Sequence, residues 1–403
     1  MSAMNFWRFI AFFTVAMTIW TGLYVYAGHR LISPSGLSPS YRLLAWLVLA
    51  AVTFAGPLVL FSGRITTKPG WFPAAAMIGF GAMGFMAIVV PLLFTKDIGL
   101  LLVAAVSKVH ALVAGRAAAG LDAGRRLFLV NALNLGVLGA AAALVGIGYA
   151  AARRRPLQVV RVDIPIADLP PAFDGFKIAQ LSDIHLGASV IRREHMESIV
   201  EAANALSPDI VAFTGDLADG YARELRADAA PLSSLRAPDG KFFVTGNHEY
   251  YWDLHGWLSE VRRLGFDVLT NEHRLVRRGD AVLAVAGVPD ISAASMVPEH
   301  VPEPETALRG APEGARRILL AHQPRSFRAA EAAGVDLQLS GHTHGGQFWP
   351  WTFVIRLVMP FVVGLHRFQK MWLYVNPGTG TWGPPLRLGM PSQITLLTLR
   401  RGS

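Results

Sequence analysis

The sequence predicts a protein of two parts, an all-helical membrane region followed by an α/β domain. Three observations support this prediction. Long apolar runs fill the chain before residue 152, short β-type runs alternate with helical segments after it, and "RRRPLQVVRVDIPIADLPPAFDG" brings charge and proline at the transition. We therefore expect a transmembrane anchor at 1–152 and a separate α/β domain at 153–403.

The composition of the whole chain agrees with a membrane protein. Of the 403 residues, 52% are hydrophobic and 16% are charged, and the mean hydropathy is +0.38, which is too apolar for an ordinary soluble protein. The formal net charge of +9 is scattered, with no basic stripe interleaved with aromatics. This pattern argues against nucleic acid as a partner and favours a membrane surface. The absence of cysteine excludes disulfides, thiolate metal sites and a cysteine nucleophile.

Four apolar runs are each close to the ~20 residues that a helix needs to cross a bilayer. They are 9–27, 43–61, 71–94 and 127–151. A fifth stretch, 98–113, is shorter and carries Lys108 and His110, which favours an interfacial or re-entrant helix; a fifth span is the alternative. The run at 9–27 is interpreted as a span, because it is long and no small-residue cleavage site follows it.

Six strand-like runs follow the transition, each with a short apolar stretch that ends in a polar turn. They are "FKIAQLSD", "DIVAFTGD", "KFFVTGNH", "AVLAVAGVPD", "RRILLAHQP" and "VDLQLSGHTH". The segments 192–206 and 254–264 between them are helical in pattern. This β-α-β order predicts sheets covered by helices.

Polar side chains collect where these strands end. They are Asp183 and His185, Asp216, Asn247 and His248, His322, and His342 and His344. Because ligands in open α/β sheets gather outside the carboxyl ends of strands, we expect these side chains to converge. Carboxylate and amide oxygens with imidazoles, and no thiolates, suit a pair of divalent ions of the manganese, iron or zinc type better than calcium or magnesium.

Each motif alone is more often a surface turn, but five of them follow predicted strands in one order. With "SDIHLG", "TGDLADG", "TGNHEY", "LAHQP" and "GHTHGG", the chain resembles the calcineurin-like metallophosphoesterases over residues 157–399. The resemblance implies a β-sandwich flanked by helices (αββα), preceded here by about four transmembrane helices. The closing "YVNPGTGTWGPPLRLG" resembles a bacterial branch with a membrane-spanning N-terminal region.

The resemblance implies seven ligands for two divalent ions. They are Asp183, His185 and His344 for one ion, Asn247, His322 and His342 for the other, and Asp216 as the bridge. Manganese is the expected metal, with iron and zinc as alternatives.

The resemblance also implies the catalytic residues. His248 is expected to stabilise the transition state or to protonate the leaving oxygen, and Glu249 is expected to orient it. Asp219, which completes the second motif, is expected to support the ligands from behind.

Phosphoester hydrolysis is the expected reaction. Two cations about 4 Å apart lower the pKa of a water between them and polarise the phosphoryl oxygens, so a metal-activated hydroxide would cleave a phosphodiester or pyrophosphate bond. The sequence elements of serine hydrolases and P-loop kinases are absent from the chain. The alternatives are a transport or sensory protein that uses the domain as a binding module, and a phosphoesterase for soluble substrates.

An apolar run, "FWPWTFVIRLVMPFVVGLHRFQKMWLY", follows the last ligand motif. It is either part of the core or a flap at the membrane surface, where tryptophans are enriched. A flap is expected to carry Trp349, Trp351, Phe353 and Phe361 on one surface and to bind a lipid-linked substrate. The expected cations for its phosphate or headgroup are Arg356, Arg367 and Arg387. One known activity in the resembling branch is cleavage of UDP-2,3-diacylglucosamine in lipid A synthesis.

The expected location is the bacterial inner membrane, with the α/β domain in the cytoplasm. Four spans place both termini on one side, together with Arg64, Lys68 and 153–155, and place Lys108 and the arginines of 116–126 on the other. The charge bias is nearly balanced, and a fifth span would move the α/β domain across the membrane. The sequence does not determine the oligomeric state.

Overall fold

The computed structural model describes residues 3–62, 72–115, 122–153, 157–187 and 191–402. The chain forms two compact units, Met1–Ile147 and Gly148–Ser403. The expected start of the third span at Trp71 and the charges expected to set orientation at Arg64, Lys68, Arg116 and 154–155 lie outside the described residues.

Long helices form the first unit. They are α1 (Ala3–Leu31), α2 (Pro39–Ser62), α3 (Phe72–Val113) and α4 (Ala123–Ala152). Within the described residues, three segments are long and apolar enough to cross a membrane: Pro39–Val59, Ala74–Val113 and Ala123–Ala152. The first predicted span lies inside α1, and its crossing of the membrane stays a prediction.

The predicted break between a third span and a separate interfacial helix is wrong. α3 is one continuous helix of 42 residues, which corresponds to ~63 Å at 1.5 Å per residue, about twice the apolar thickness of a bilayer. The prediction ended one apolar run at residue 94 and began the next at residue 98. The helix continues there because Lys96 Nζ donates to Asn134 Oδ1 (2.6 Å) and Asp97 Oδ2 pairs with Arg30 Nε (2.7 Å).

Two six-stranded sheets form the second unit. The first contains β1 (Gln158–Ala167), β2 (Lys177–Leu181), β3 (Ile210–Phe213), β4 (Lys241–Phe243), β5 (Asp267–Val268) and β12 (Gln393–Gly402), in the order β1-β12-β2-β3-β4-β5. The second contains β6 (Glu272–Arg278), β7 (Ala281–Gly287), β8 (Arg316–Leu320), β9 (Leu337–Ser340), β10 (Gly364–Phe368) and β11 (Met371–Val375), in the order β10-β11-β9-β8-β7-β6. The six predicted strands are β2, β3, β4, β7, β8 and β9.

Helices accompany both sheets. They are α5 (Arg193–Ala205), α6 (Ala222–Ala229), α7 (Asn247–Trp252), α8 (Leu254–Arg263), α9 (Pro304–Ala307), α10 (Phe327–Ala332) and α11 (Trp351–Val358). The two predicted helices correspond to α5 and α8. The predicted α/β sandwich with flanking helices is therefore confirmed.

The core follows the two-residue period of a strand. Leu283 and Val285 of β7 point into the space between the sheets, where they share a buried cluster with Ile178 and Phe242 of the first sheet. The alternate residues of β7 point outward to a second cluster that includes Phe327 of α10. Because β2, β3 and β4 are parallel neighbours, and β7, β8 and β9 likewise, their carboxyl ends present the polar turns together at one edge of each sheet.

Candidate metal centre

The polar turns converge as the sequence predicts. Asp183 and His185 follow β2, Asp216 follows β3, and Asn247 and His248 begin α7 after β4. His322 follows β8, and His342 and His344 follow β9. Three groups within this set bring ligand atoms within 4.8 Å of one another: Asp183, His185 and His344; His185, Asp216 and His248; and Asp216, His322 and His342.

The first group contains two imidazoles that face each other. Nε2 of His185 lies 3.1 Å from Nε2 of His344, and the latter nitrogen lies 3.5 Å from Asp183 Oδ1. Neutral imidazole nitrogens and a carboxylate oxygen that point at one place offer lone pairs to a cation. The arrangement is therefore that of a metal site.

The third group, Asp216, His322 and His342, repeats this arrangement. Nε2 of His322 lies 3.2 Å from Nδ1 of His342 and 3.1 Å from Asp216 Oδ2. The same Asp216 oxygen lies 3.7 Å from His185 Nε2 in the first group. Asp216 Oδ2 thus lies between the two groups.

Asn247 supplies a further unused acceptor. Its side chain is buried, and its Oδ1 has no hydrogen-bond partner among the described residues. A buried amide oxygen without a partner costs about 1–3 kcal/mol, and a bound cation would remove this cost. The donor set of the site therefore fits divalent metal.

The backbone of the site is strained at the ligands themselves. Asp183, His185, Asp216, His342 and His344 all have φ between 51° and 69°, a left-handed region that residues other than glycine rarely adopt. Such residues cost about 1–3 kcal/mol each and occur mainly where function requires a particular side-chain direction. The sequence did not indicate this strain.

Hydrogen bonds fix the direction of several of these side chains. The backbone amide of His248 donates to Asp216 Oδ1 (2.9 Å), which leaves Oδ2 for a metal. His322 Nδ1 donates to the Thr214 carbonyl (2.7 Å) and so directs Nε2 inward. The backbone amide of His342 donates to both oxygens of Asp183 (3.0 Å), which ties the β9 turn to the β2 turn.

Burial controls the protonation of two of the imidazoles, those of His342 and His344. It lowers the pKa of His342 to about 3, with a further contribution from the charge on His322. Burial, together with the charge on His185, also holds the pKa of His344 well below its usual range. These two imidazoles are neutral near pH 7, which is the form that binds metal.

Asp219 links two of the histidines. Its Oδ1 accepts hydrogen bonds from Nδ1 of His248 and from Nδ1 of His185, the latter at 3.3 Å. Burial opposes protonation of His248, but the carboxylates of Asp219 and Asp216 together raise its pKa to about 9. Nε2 of His248 faces the centre, 4.0 Å from Asp216 Oδ2.

The expected orienting role of Glu249 is wrong, because no hydrogen bond joins its carboxylate to His248 among the described residues. Its carboxylate instead accepts three backbone amides, those of Gly246 (2.7 Å), Leu217 (2.8 Å) and Asp216 (3.1 Å). These bonds join the turns after β3 and β4, which carry Asp216 and Asn247. The sequence misassigned the orienting role because Glu249 is adjacent to His248 in the chain, whereas Asp219 is adjacent to it only in space.

The expected role of Arg387 in substrate binding is also wrong. Arg387 is 2% exposed, and its guanidinium donates to the carbonyl oxygens of Pro377 (2.9 Å) and Gly380. It also donates to the His344 carbonyl (3.4 Å). Arg387 therefore holds the segment 377–387 against the ligand turn.

The residues of the expected flap divide into two sets. Trp351 and Phe353 lie on α11, which has no buried residue, and Leu357 on the same helix is 85% exposed. Phe361 packs against Phe327 in the core at a ring separation of 5.1 Å, so its expected place on the flap is wrong. Trp349 is partly buried.

The comparisons agree with this geometry. Residues 176–346 match the calcineurin-like phosphoesterase family. A transmembrane protein with metallophosphoesterase domain from Danio rerio is 34% identical over 381 residues, which cover 92% of this chain and 82% of that protein. The protein of the same description from Bos taurus is 40% identical over 298 residues, 71% of this chain and 66% of that protein.

A third relative matches a smaller share of this chain. This metallophosphoesterase from Aquifex aeolicus, described as uncharacterized, is 36% identical over 251 residues, which cover 60% of this chain and 92% of that protein. The motifs, the two sheets and these matches agree with one another. The chain belongs to the calcineurin-like metallophosphoesterases and is a metal-dependent phosphoester hydrolase with a transmembrane region.

Proposed function

We propose that the protein hydrolyses a phosphodiester or pyrophosphate bond with two divalent metal ions. The position of Asp216 Oδ2, 3.1 Å from His322 Nε2 and 3.7 Å from His185 Nε2, carries this proposal, because one carboxylate oxygen between two imidazole groups suits a bridging ligand. The seven ligands are those implied by the sequence: Asp183, His185 and His344 for one ion, Asn247, His322 and His342 for the other, and Asp216 between them.

Bound metal ions would supply Lewis acidity for activation of a water and for stabilisation of the charge on the phosphoryl oxygens. Manganese, iron and zinc all suit oxygen and imidazole ligands. The side chains hold these ions in a buried, preorganised site, so little reorganisation is needed when the bond breaks.

His248 is the proposed general acid. Asp219 accepts the hydrogen bond from its Nδ1 and fixes the ring, so that Nε2 points toward the centre and can donate a proton to the leaving oxygen. Glu249 is a positioning residue, since its bonds to the amides of Gly246 and Leu217 fix the turns that carry Asp216 and Asn247.

A lipid-linked phosphoester is the proposed substrate. The support is α11, which begins seven residues after His344 and exposes Trp351, Phe353, Leu357 and Val358 beside Arg356. Apolar side chains beside a cation suit the interface of a membrane, to which the transmembrane helices already attach the chain. A lipid-linked pyrophosphate of the UDP-2,3-diacylglucosamine kind is one member of this class. The proposed setting is a bacterial inner membrane with the catalytic unit in the cytoplasm.

Hydrolysis of bis(p-nitrophenyl) phosphate tests the reaction. The purified full-length protein is expected to cleave it with added manganese and to stop on chelation. If the metal-loaded protein were folded, as judged from its thermal melt, and cleaved no phosphoester, the proposed reaction would be contradicted.

A pair of substitutions on α11 tests the lipid substrate separately. Phe353→Ser with Leu357→Ser should lower turnover of a phospholipid in mixed micelles by tenfold or more, because each buried large apolar side chain contributes about 1.5–3 kcal/mol. Turnover of bis(p-nitrophenyl) phosphate should stay within about twofold, since no ligand is changed. Parallel losses on both substrates would show that α11 supports the fold and does not bind lipid.

A further inference from the structure

Two exposed aromatic rings flank His248. The ring centroid of Tyr251 lies 5.3 Å from that of His248, and the ring centroid of Trp382 lies 5.9 Å from it. Tyr251 is 44% exposed and Trp382 is 39% exposed, although His248 between them is buried. Large aromatic surfaces that remain open to solvent beside a catalytic group are typical of a ligand-binding surface.

Hydrogen bonds to the side chain of Gln347 fix the backbone of Trp382. The amide nitrogen of Trp382 donates to Gln347 Oε1 (2.9 Å), and Gln347 Nε2 donates back to the Trp382 carbonyl (2.9 Å) and to the Pro384 carbonyl (2.8 Å). Gln347 is buried and follows the ligand turn that carries His344. The exposed indole is therefore attached to a fixed part of the metal centre, which lowers the entropy lost when a ligand binds to it.

The direction of His248 determines which part of a substrate meets these rings. Its Nδ1 is bonded to Asp219, and its Nε2 faces the metal centre. A leaving oxygen that takes the proton from Nε2 carries its substituent past the imidazole ring. Such a substituent would come within reach of Tyr251 and Trp382, because both rings flank that of His248.

We propose that Tyr251 and Trp382 determine specificity for the leaving group and favour one that presents a flat ring. The inference rests on the proposed function, because it takes His248 as the acid. Stacking on one or both rings would add affinity without changing the bond-breaking step.

Two soluble diesters separate the leaving group from the group that is retained. Bis(p-nitrophenyl) phosphate and methyl p-nitrophenyl phosphate both release p-nitrophenol, but only the first retains an aryl group. Trp382→Ala and Tyr251→Ala should each raise KM about tenfold for both diesters and leave kcat within about twofold, by the usual strength of ring stacking. Trp382→Phe should restore most of the affinity, because it keeps a flat ring.

The matched control is Val301→Ala. Val301 is an apolar residue of the same unit, and it is 44% exposed, like Tyr251. It should change neither KM nor kcat. A rise in KM for bis(p-nitrophenyl) phosphate alone would assign the rings to the retained group and overturn the proposal. Unchanged KM values, or a loss of metal and of kcat in Trp382→Ala, would overturn it too.

Binding of p-nitrophenol provides a test that needs no turnover. Equilibrium dialysis of the manganese-loaded full-length protein should show weaker binding in Trp382→Ala than in wild type, and equal binding would overturn the proposal. A wild type that binds p-nitrophenol through Trp382 but cleaves neither diester would refute the proposed function and retain the ring surface.

Discussion

The two units each contain a cluster of hydrogen-bonded polar side chains, and the clusters are built differently. In the helical unit, Asp97 Oδ2 accepts from Tyr26 Oη (2.6 Å) and Arg30 Nε (2.7 Å), while Lys96 Nζ donates to Asn134 Oδ1 (2.6 Å). Asn134 Nδ2 in turn donates to the Arg30 carbonyl (2.7 Å). Donors and acceptors are matched in this interhelical cluster.

In the metal centre, acceptors converge on one another. His185 Nε2 faces His344 Nε2, His342 Nδ1 faces His322 Nε2, and Asn247 Oδ1 has no partner within the described chain. Similar residue types thus serve two purposes. A cluster whose donors and acceptors balance holds helices together, whereas a cluster with an excess of acceptors requires a cation. This balance also favours a structural role for the charges of the helical unit over the transport alternative.

Removal of the bridging carboxylate is the strongest test of this difference. Asp216→Ala should abolish metal-dependent hydrolysis, because several kcal/mol of transition-state charge stabilisation are lost at about 1.4 kcal/mol per tenfold in rate. Metal analysis of the dialysed protein should show depletion relative to wild type. Full metal content in this variant would contradict the bridging role.

Removal of the proposed acid should affect rate and spare metal. His248→Ala should lower kcat by about 10²- to 10⁴-fold, the usual contribution of a positioned acid, with metal content unchanged. Steady-state kinetics beside metal analysis measures both quantities. If the variant were as depleted of metal as Asp216→Ala, His248 would be a ligand and not an acid.

A methyl group at Gly341 should disturb the metal centre less severely. A Cβ at this position would overlap the Ser182 hydroxyl and the Asp183 carboxylate, which accepts the backbone amide of His342. We expect Gly341→Ala to weaken metal affinity by about 10- to 100-fold, the range seen when groups that orient a ligand are disturbed. Metal titration measures this, and Gly279→Ala is a control, since a Cβ there would meet no atom within 4 Å. Gly279 has φ 61°, a conformation in which alanine is strained, so Gly279→Ala can itself lose stability. The two variants are therefore compared by metal affinity and not by stability.

The interhelical cluster should affect stability alone. Asp97→Ala leaves Arg30 and Tyr26 without their shared acceptor and should lower the unfolding free energy in micelles by about 1–3 kcal/mol. Metal content and kcat should not change. Lys108→Gln, at an exposed position on α3, is the control and should have no effect. Loss of metal in Asp97→Ala would contradict the separation of the two clusters.

Two strands, β1 and β12, could not be predicted from the sequence, because each pairs with a segment far away in the chain. β1 and β12 pair in parallel from Gln158↔Gln393 to Ala167↔Gly402, yet neither was predicted. β1 contains Pro165, which disfavours a central strand, but β1 lies at the sheet edge, where a missing amide donor is tolerated. Its position in the sheet depends on β12, more than 200 residues later in the chain.

The convergence of the polar turns was predicted more completely than the strand pairing around them. The candidate ligands are short polar motifs at strand ends, and such motifs can be recognised without knowledge of the strand order. The neighbours of the ligands lack this local signal. Arg387 was expected to bind a phosphate or headgroup as one of three candidate arginines, and its burial among carbonyl oxygens shows that it instead holds the turn that carries His344.

The sequence by itself determined that apolar helices precede an α/β sandwich and that polar residues end six of its strands, because hydrophobic period and turn residues are local properties. The tertiary structure decided that α3 is continuous, that Asp219 and not Glu249 contacts His248, and that Tyr251 and Trp382 flank this histidine. These contacts join residues up to 134 positions apart along the chain, from His248 to Trp382. Such proximity follows from the packing of whole elements, which no local pattern encodes.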